Sequence, residues 1–274
     1  MTRPLLTIAI ICKDSAATIG RTLDASRALL AEIGGGPAGG DGEILGVDSG
    51  STDATLAMLD AAGARVVRTP WLGYVRTKQL ALDESAGEWV LSLDSDESPD
   101  DDLRRAIVAF LRDPGAHAGA SVNRMTWYAG RPLRHAWQPE RRLRLVRRGR
   151  GRWEGLDPHD KMVCDGPVAA LAGHLRHDSI ATWADFLAKQ AGHSRLMARS
   201  LHAAGKRGSV LKLLTSPPGA LLKQLVLKRA FLDGWPGCVA AASTAAGALM
   251  KHAMLLELTR EAESDGARDQ ARSS

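Results

Sequence analysis

Cysteine is scarce in this chain: three in 274 residues, Cys12, Cys164 and Cys238, odd in number and far apart. No C-x-x-C pair or His–Cys cluster accompanies them, which argues against a disulfide framework and a structural zinc site. A run of about 18 uninterrupted apolar residues is also missing, so an orthodox membrane span is not expected. Internal repeats are lacking. Carboxylates are thin in two long stretches. Residues 131–152 hold nine arginines against Glu140 alone, and nine Lys or Arg fall between Asp185 and Asp233 with no Asp or Glu. The net charge of +5 is therefore unevenly placed and points to an anionic partner: a phosphate-bearing ligand, an acidic acceptor, a lipid surface or nucleic acid. The basic blocks lack aromatic interleaving, which counts against nucleic acid.

What is present is an ordinary globular composition, 45% apolar and 24% charged, enough for one α/β domain with appendages or two small domains. Residues 5–12 resemble a signal-peptide core but have no small-residue cleavage site and run into Lys13-Asp14. They are read as a buried strand and the protein as cytosolic. Short apolar strands at residues 6–12, 43–48, 64–68 and 88–94 alternate with helices over 17–33, from a Ser51 or Thr52 cap to 62, over 74–85, and from Ser98-Pro99 to 111. That alternation implies βαβ crossovers and a mostly parallel sheet, with ligands beyond the carboxyl ends of the strands. Lys13-Asp14, Asp48 and Asp94-Ser95-Asp96 stand at those ends. Further strands are expected near 120–127, 143–147 and 162–164. After Thr182 the chain reads helical, interrupted at residues 215–219 and 233–237, with a frayed polar tail after about Glu261.

Asp94 and Asp96 can aim their carboxylates the same way at an extended strand end. Such a pair suits a hard divalent cation that takes its other ligands from water and phosphate; alone, it could equally be a solvated turn capping the next helix. Glu43-Ile44-Leu45-Gly46-Val47-Asp48-Ser49-Gly50-Ser51-Thr52-Asp53 resembles the second-strand signature of family-2 glycosyltransferases. Gly73-Tyr74, Lys78-Gln79-Leu80-Ala81 and the run from Gly87 to Asp94 continue the likeness in order. It comes nearest to the bacterial lipopolysaccharide-core β-1,4-glucosyltransferase-like branch. Gln138 through Arg148 resembles that family's Arg-Leu-Phe-Arg-Arg segment, and Trp153 through Lys161 its Val-His-Glu segment, with Asp160 at the Glu position.

The resemblance runs, with gaps, from about residue 6 to 258. It implies a GT-A fold, a Rossmann-like mixed sheet with helices on both faces, followed by C-terminal amphipathic helices. It implies an inverting hexosyltransferase that uses Mg²⁺ or Mn²⁺ and a nucleotide-sugar donor, a UDP-sugar foremost. The donor site would include Cys12, Asp14, Asp48, Ser51, Lys78, Asp94, Arg142 and Arg144, and the metal would be held by Asp94 and Asp96. Asp48 can accept from a uracil N–H or ribose hydroxyls, whereas Asp53 is also good first-turn helix chemistry. Arg142 and Arg144 alternate with Leu143 and Leu145, giving a cationic face for phosphate or simply a charged strand. Asp160 would be the general base, with Asp157 its rival; His159 could bind metal, touch diphosphate or act as base, and His177 could line the site. The chain departs from the branch at Lys13-Asp14-Ser15, Thr77-Lys78-Gln79, Ser95 and Asp160.

The expected organisation is a catalytic domain over residues 1–180 (donor half 1–112, acceptor half 113–180), a helical membrane-associating region over 181–260, and a disordered tail over 261–274. Residues 206–229 interleave Lys and Arg with Leu211, Leu213, Leu214, Leu221, Leu222 and Leu225, a pattern suited to a membrane interface or to a helical lid. The Ala-rich run 237–250 reads as re-entrant, interfacial or packed. The expected function is transfer of sugar to a lipopolysaccharide-core or other surface glycolipid acceptor, peripheral on the inner face of the bacterial cytoplasmic membrane. Two other readings compete: a non-catalytic nucleotide-sugar-binding protein on a degenerate transferase fold, and an aspartate-nucleophile phosphatase. The second fits less well, since Ser98 replaces its usual Thr or Val and the motif falls on the fourth strand.

Overall fold

The computed structural model describes residues 3–34, 42–157 and 159–273. In chain order its elements are β1 (Leu6–Cys12), α1 (Ile19–Ile33), β2 (Gly42–Asp48), α2 (Thr55–Ala61), β3 (Arg65–Arg68), α3 (Tyr74–Asp83), β4 (Trp89–Asp94), β5 (Glu97–Pro99) and α4 (Asp101–Arg112). Then come β6 (Gly119–Tyr128), β7 (Arg131–Pro132), β8 (Arg141–Arg147), β9 (Gly151–Leu156), β10 (His159–Cys164), β11 (Val168–His177), α5 (Trp183–Ala203), α6 (Val210–Leu222) and α7 (Trp235–Ser273). They form two compact units: Met1–Trp127 with Pro139–Ser179, and Tyr128–Gln138 with Ile180–Ser274.

The main sheet of the first unit runs β3-β2-β1-β4-β8-β6-β11-β5. Strands β1 to β4 pair in parallel, whereas β8 is antiparallel to both β4 and β6, so the sheet is mixed. Every residue of β1 is buried, as its unbroken apolar sequence requires of a strand covered on both faces. Leu6, Ile8, Ile10 and Cys12 point into a core with Ile19 and Leu23 of α1, Leu59 of α2, and Leu103 and Ile107 of α4. Ala9 and Ile11 point the other way, against Ala81 and Leu82 of α3, Trp153 of β9 and Met162 of β10. Helices thus cover both faces, as expected of a GT-A fold. In α4, Leu103, Ile107, Phe110 and Leu111 share one buried stripe, each contributing roughly 1.5–3 kcal/mol if fully buried. Asp100 caps it by accepting from the Leu103 N–H at 2.8 Å.

Two sequence expectations near the site are corrected. Ser98-Pro99 does not open α4 but lies in β5, which pairs antiparallel with β11, and the helix starts two residues later behind Asp100. Neither Ser51 nor Thr52 caps α2. Their hydroxyls bond to Asp48 and Asp14, and Asp53 serves the helix start by accepting from the Thr55 N–H at 2.9 Å.

In the second unit, α5 and α6 pack against α7. Its core gathers Leu133, Ala136, Ala230, Ala240 and Ala241, with Trp137, Trp183, Leu221 and Leu225 against it. Asp233 ties the two chain segments of this unit together. One carboxylate oxygen accepts from the Arg134 N–H (2.9 Å), the other from those of His135 (2.9 Å) and Ala136 (2.8 Å). Gln224 accepts from the Trp137 N–H, and the Trp137 indole donates to Thr244. Gly237 is required here, since a Cβ would collide with the Ala230 carbonyl. Two more expectations change. Helix α6 runs through Pro217 and Pro218 instead of stopping there, on a helix with no buried residue where carbonyls that lose their donors stay near the surface. The polar tail is helical to Ser273, in keeping with its Ala, Glu, Gln and Arg content.

Candidate active site

In the parallel part of the sheet, Cys12 pairs in register with Asp48 and Ile11 with Asp94. The two aspartates therefore flank β1 at one edge, two strand spacings or about 10 Å apart. The loops after β1, β2 and β4 are laced together there. Asp48 is buried, and its carboxylate accepts from the N–H groups of Gly50 (3.0 Å) and Ser51 (3.1 Å) and from the Ser51 hydroxyl. Asp14, held at φ 45°, donates its N–H to the Ser51 hydroxyl and accepts from the Thr52 N–H at 2.7 Å. Asp53 accepts from Ala16, and Ser95 donates to the Ser15 hydroxyl. Asp48, Asp14 and Ser51 thus build one another's turns. Burial, reinforced by Asp48, pushes the Cys12 thiol up to about 12, so it sits there neutral.

The acidic strand end is embedded in charge pairs. Lys78 of α3, only 3% exposed, places Nζ 2.8 Å from Asp94 and 2.8 Å from Asp160 of β10. Buried Arg144 of β8 lies 3.2 Å from Asp94 and 2.5 Å from Glu97. Arg124 of β6 joins Glu97 (3.3 Å) to Glu140 (2.7 Å), and Glu140 also holds Arg142 (2.7 Å). The Trp153 ring lies under both Lys78 and Arg144, 4.7 and 5.6 Å from its centroid. Burial works to raise the Asp94 carboxyl, but Lys78 and Arg144 outweigh it and hold Asp94 well below the ordinary carboxylate range. Burial likewise opposes charge on Glu140, yet Arg124 and Arg142 bring it down to about 2. Within the basic stretch Arg142 and Arg144 are thus paired with carboxylates, whereas Arg141 and Arg148 donate to the backbone carbonyls of Leu171 and Ser85. Glu97, Arg124 and Glu140 were given no role in the sequence reading, though Glu97 follows the Asp-Ser-Asp run directly.

Asp96 differs from Asp94. Burial pushes its carboxyl up, His177 opposes this, and Asp94 and Glu97 add to it. His177 stands opposite Glu97 in the β11–β5 register, and the Asp178 N–H donates to the Asp96 carbonyl at 2.9 Å. That pairing sets His177 Nε2 3.5 Å from the Asp96 carboxylate, while its Nδ1 is buried with no hydrogen-bond partner. Among the described residues no three His, Cys, Asp or Glu side chains converge as a ready-made metal cage. The residues do fit a divalent cation that takes most of its ligands from phosphate and water: one carboxylate facing one imidazole, with Asp94 already committed to two cations.

The two candidate bases are separated by their partners. Asp157 accepts from the Tyr74 and Val75 N–H groups, both at 3.2 Å, and so caps α3 from a distant stretch of chain. Gly73, at φ 91°, leaves the room, since a Cβ there would collide with that carboxylate. Asp160 instead faces Lys78. The side chain of His159 lies outside the described residues. The structure brings together Asp94, Lys78, Arg144 and Asp160, with Asp96 next along the chain and Asp48 across β1; Arg142 is half-exposed and held by Glu140.

The model of glycosyl transferase family 2 matches residues 7–164, more than half of the chain. A lipopolysaccharide core biosynthesis glycosyltransferase, LpsC of Rhizobium meliloti, is 32% identical over 231 residues, covering 77% of this chain and 84% of the relative. An uncharacterised glycosyltransferase of Rickettsia typhi is 26% identical over 229 residues, covering 79% of this chain and 78% of its own. Among solved structures, a mannosyltransferase from Pyrobaculum calidifontis in complex with GDP-Man and Mn²⁺ is similar at a TM-score of 0.47 and 18% identity, covering 90% of this chain and 74% of that one.

Proposed function

The chain belongs to glycosyl transferase family 2, and from that premise we propose that it is an inverting, metal-dependent enzyme moving a sugar from a nucleotide donor, a UDP-sugar foremost, to a lipopolysaccharide-core or related glycolipid acceptor. One observation carries the mechanistic part. Asp94, buried Lys78 and Asp160 form a continuous ion-pair chain at the carboxyl edge of the sheet, beside Asp96 and His177. Asp96 and His177 are the residues to hold Mg²⁺ or Mn²⁺ on the donor diphosphate. When bound, such a cation supplies neutralisation of the charge that develops on the departing nucleoside diphosphate.

The rest falls to the protein. Asp160 takes the proton of the acceptor hydroxyl as that oxygen attacks the anomeric carbon from the face opposite the diphosphate. Arg144, fixed by Glu97, sets the position of Asp94 beneath the donor. Asp48 and the Asp14–Ser51 turns shape the wall that receives the nucleoside. Family membership leaves the aspartate-nucleophile reading without support, and Asp94, held by two cations, is a poor nucleophile.

The relative's name and the second unit support an acceptor and site of action at a membrane. Helix α6 buries none of its residues, and Leu211, Leu214, Val226, Leu227, Phe231 and Trp235 are exposed among Lys212, Lys223, Lys228 and Arg229. In α7, residues Trp235–Ser264 are long and apolar enough to cross a membrane, but Ala240, Ala241, Ser243, Leu255 and Thr259 are buried within the unit. Those packed positions favour interfacial docking through α6 over a span by α7.

The enzymatic reading is tested with purified protein, a panel of nucleotide sugars and Mn²⁺, following release of the nucleoside diphosphate. Asp96→Ala and His177→Ala should each lower turnover by 10²-fold or more, within the usual worth of a transition-state charge stabiliser. Asp160→Asn should retain donor binding and lose transfer. Full turnover in Asp96→Ala would remove the metal assignment, and normal transfer by Asp160→Asn would move the base elsewhere.

A further inference from the structure

Lys78 is a buried cation with two masters. Its ammonium sits 2.8 Å from a carboxylate on β4 and 2.8 Å from one on β10, with the Trp153 ring against it. The neighbouring cations are differently held. Arg144 reaches Glu97 and Asp94 through one guanidinium nitrogen, and Arg124 grips Glu140 with two and Glu97 with the third, each on a rigid planar group. Lysine carries a point charge on a flexible stem, so Lys78 is the cation here best able to change partners without moving the backbone. A nucleoside diphosphate arriving at the carboxyl edge of the sheet brings a large negative charge to the Asp94 end of this chain.

We propose that Lys78 is a positioning residue that makes the base conditional on the donor: the diphosphate and Asp160 compete for its ammonium, and Asp160 is released to accept the acceptor's proton only once the donor has taken Lys78. The inference rests on the donor-site reading above and adds an order to it. In the free enzyme the Asp160 carboxylate is engaged by the Lys78 ammonium at 2.8 Å. With the ammonium turned toward phosphate, the Asp160 carboxylate is freed to take the hydrogen bond and the proton of the acceptor hydroxyl. Acceptor activation without donor is thereby suppressed. Because coupling between two binding events is reciprocal, the factor by which nucleotide weakens the Asp160–Lys78 pair is the factor by which the pair weakens nucleotide binding, so removing the Asp160 charge with Lys78 kept in place must strengthen that binding.

That reciprocity supplies a test independent of turnover. UDP and GDP, each with Mn²⁺, are titrated calorimetrically into the full-length wild type, Asp160→Asn, Lys78→Met and the double variant, all checked for folding by thermal unfolding. Asp160→Asn should bind the nucleotide more tightly, on the order of fivefold or more, the lower range of measured coupling energies. Lys78→Met should bind it more weakly, and the gain from Asp160→Asn should vanish in the Lys78→Met background. Lys78→Arg, which keeps the charge and is the variant to use if Lys78→Met does not fold, should preserve part of that gain. Unchanged or weaker binding by a folded Asp160→Asn protein overturns the competition, as does a gain that survives loss of the lysine charge. A wild type that binds neither nucleotide overturns the donor reading itself, and this inference with it.

Discussion

Glu140 is held between two arginines, Arg124 and Arg142, and its acidity follows from them. Its pKa falls from the ordinary 4.5 to about 2, with burial opposing and Arg124 and Arg142 prevailing. A carboxyl whose folded value is depressed contributes stability that is complete above its unfolded value and disappears as pH falls through the folded one. The sign is thus fixed: the wild type should lose Glu140's contribution between about pH 4.5 and pH 2, up to about 3 kcal/mol. Urea unfolding of the wild type and Glu140→Gln, measured at pH 7 and again near pH 2.5, should show the gap between them narrowing on acidification. A constant gap would mean that the Arg124 pair contributes nothing. At this scale the sequence was partly legible. It singled out Asp94, Lys78, Arg144 and Asp160, which the structure brings together. It put Asp160 first with Asp157 as rival, and could not see that Asp157 caps the N-terminus of α3, some 80 residues away. Nor could it see that Arg144 of β8 and Arg124 of β6 meet at Glu97 of β5, a convergence that the sheet creates and one dimension does not display.

At the scale of elements, the parallel core from β1 to β4 was readable because each strand is a buried apolar run bounded by turn chemistry. Strands β9 and β11 were not foreseen; their sequences, Gly151–Leu156 and Val168–His177, lack clean alternation and become strands through pairing with β10, β6 and β5. In the sequence, residues 233–237 read only as an interruption of the helical region; in the structure Asp233 serves the three backbone N–H groups of residues 134–136. Replacing Asp233 with Ala leaves those donors unsatisfied, where hydrogen bonds to a charged acceptor are worth about 1.5–3 kcal/mol each. Thermal unfolding of Asp233→Ala should therefore show marked destabilisation, with Asp233→Asn intermediate. An unchanged melting temperature would mean that water satisfies residues 134–136 equally well.

For the molecule as a whole, the prediction concerns where it resides. Four cations stand among the exposed leucines and aromatics of residues 211–235, and each is worth about 1 kcal/mol near an anionic leaflet. Purified protein should float with vesicles containing phosphatidylglycerol, bind phosphatidylcholine vesicles much less, and lose binding as salt is raised. The pair Leu211→Glu and Leu214→Glu should abolish flotation while leaving thermal stability intact, because both side chains are exposed. Flotation that ignores lipid charge, or that survives both substitutions, would rule out α6 as the docking element.

The clasp at Asp233 also has a temporal side. During synthesis, residues 134–136 leave the ribosome 99 to 97 residues ahead of the aspartate that will bind them. At roughly 5–20 residues per second the wait is on the order of 5–20 seconds. Throughout it, Leu133, Ala136 and Trp137 have no partners from the later helices. The sheet unit can close around this excursion while the helical unit remains a loose end, so a nascent chain halted before Asp233 would display an apolar segment to chaperones and proteases.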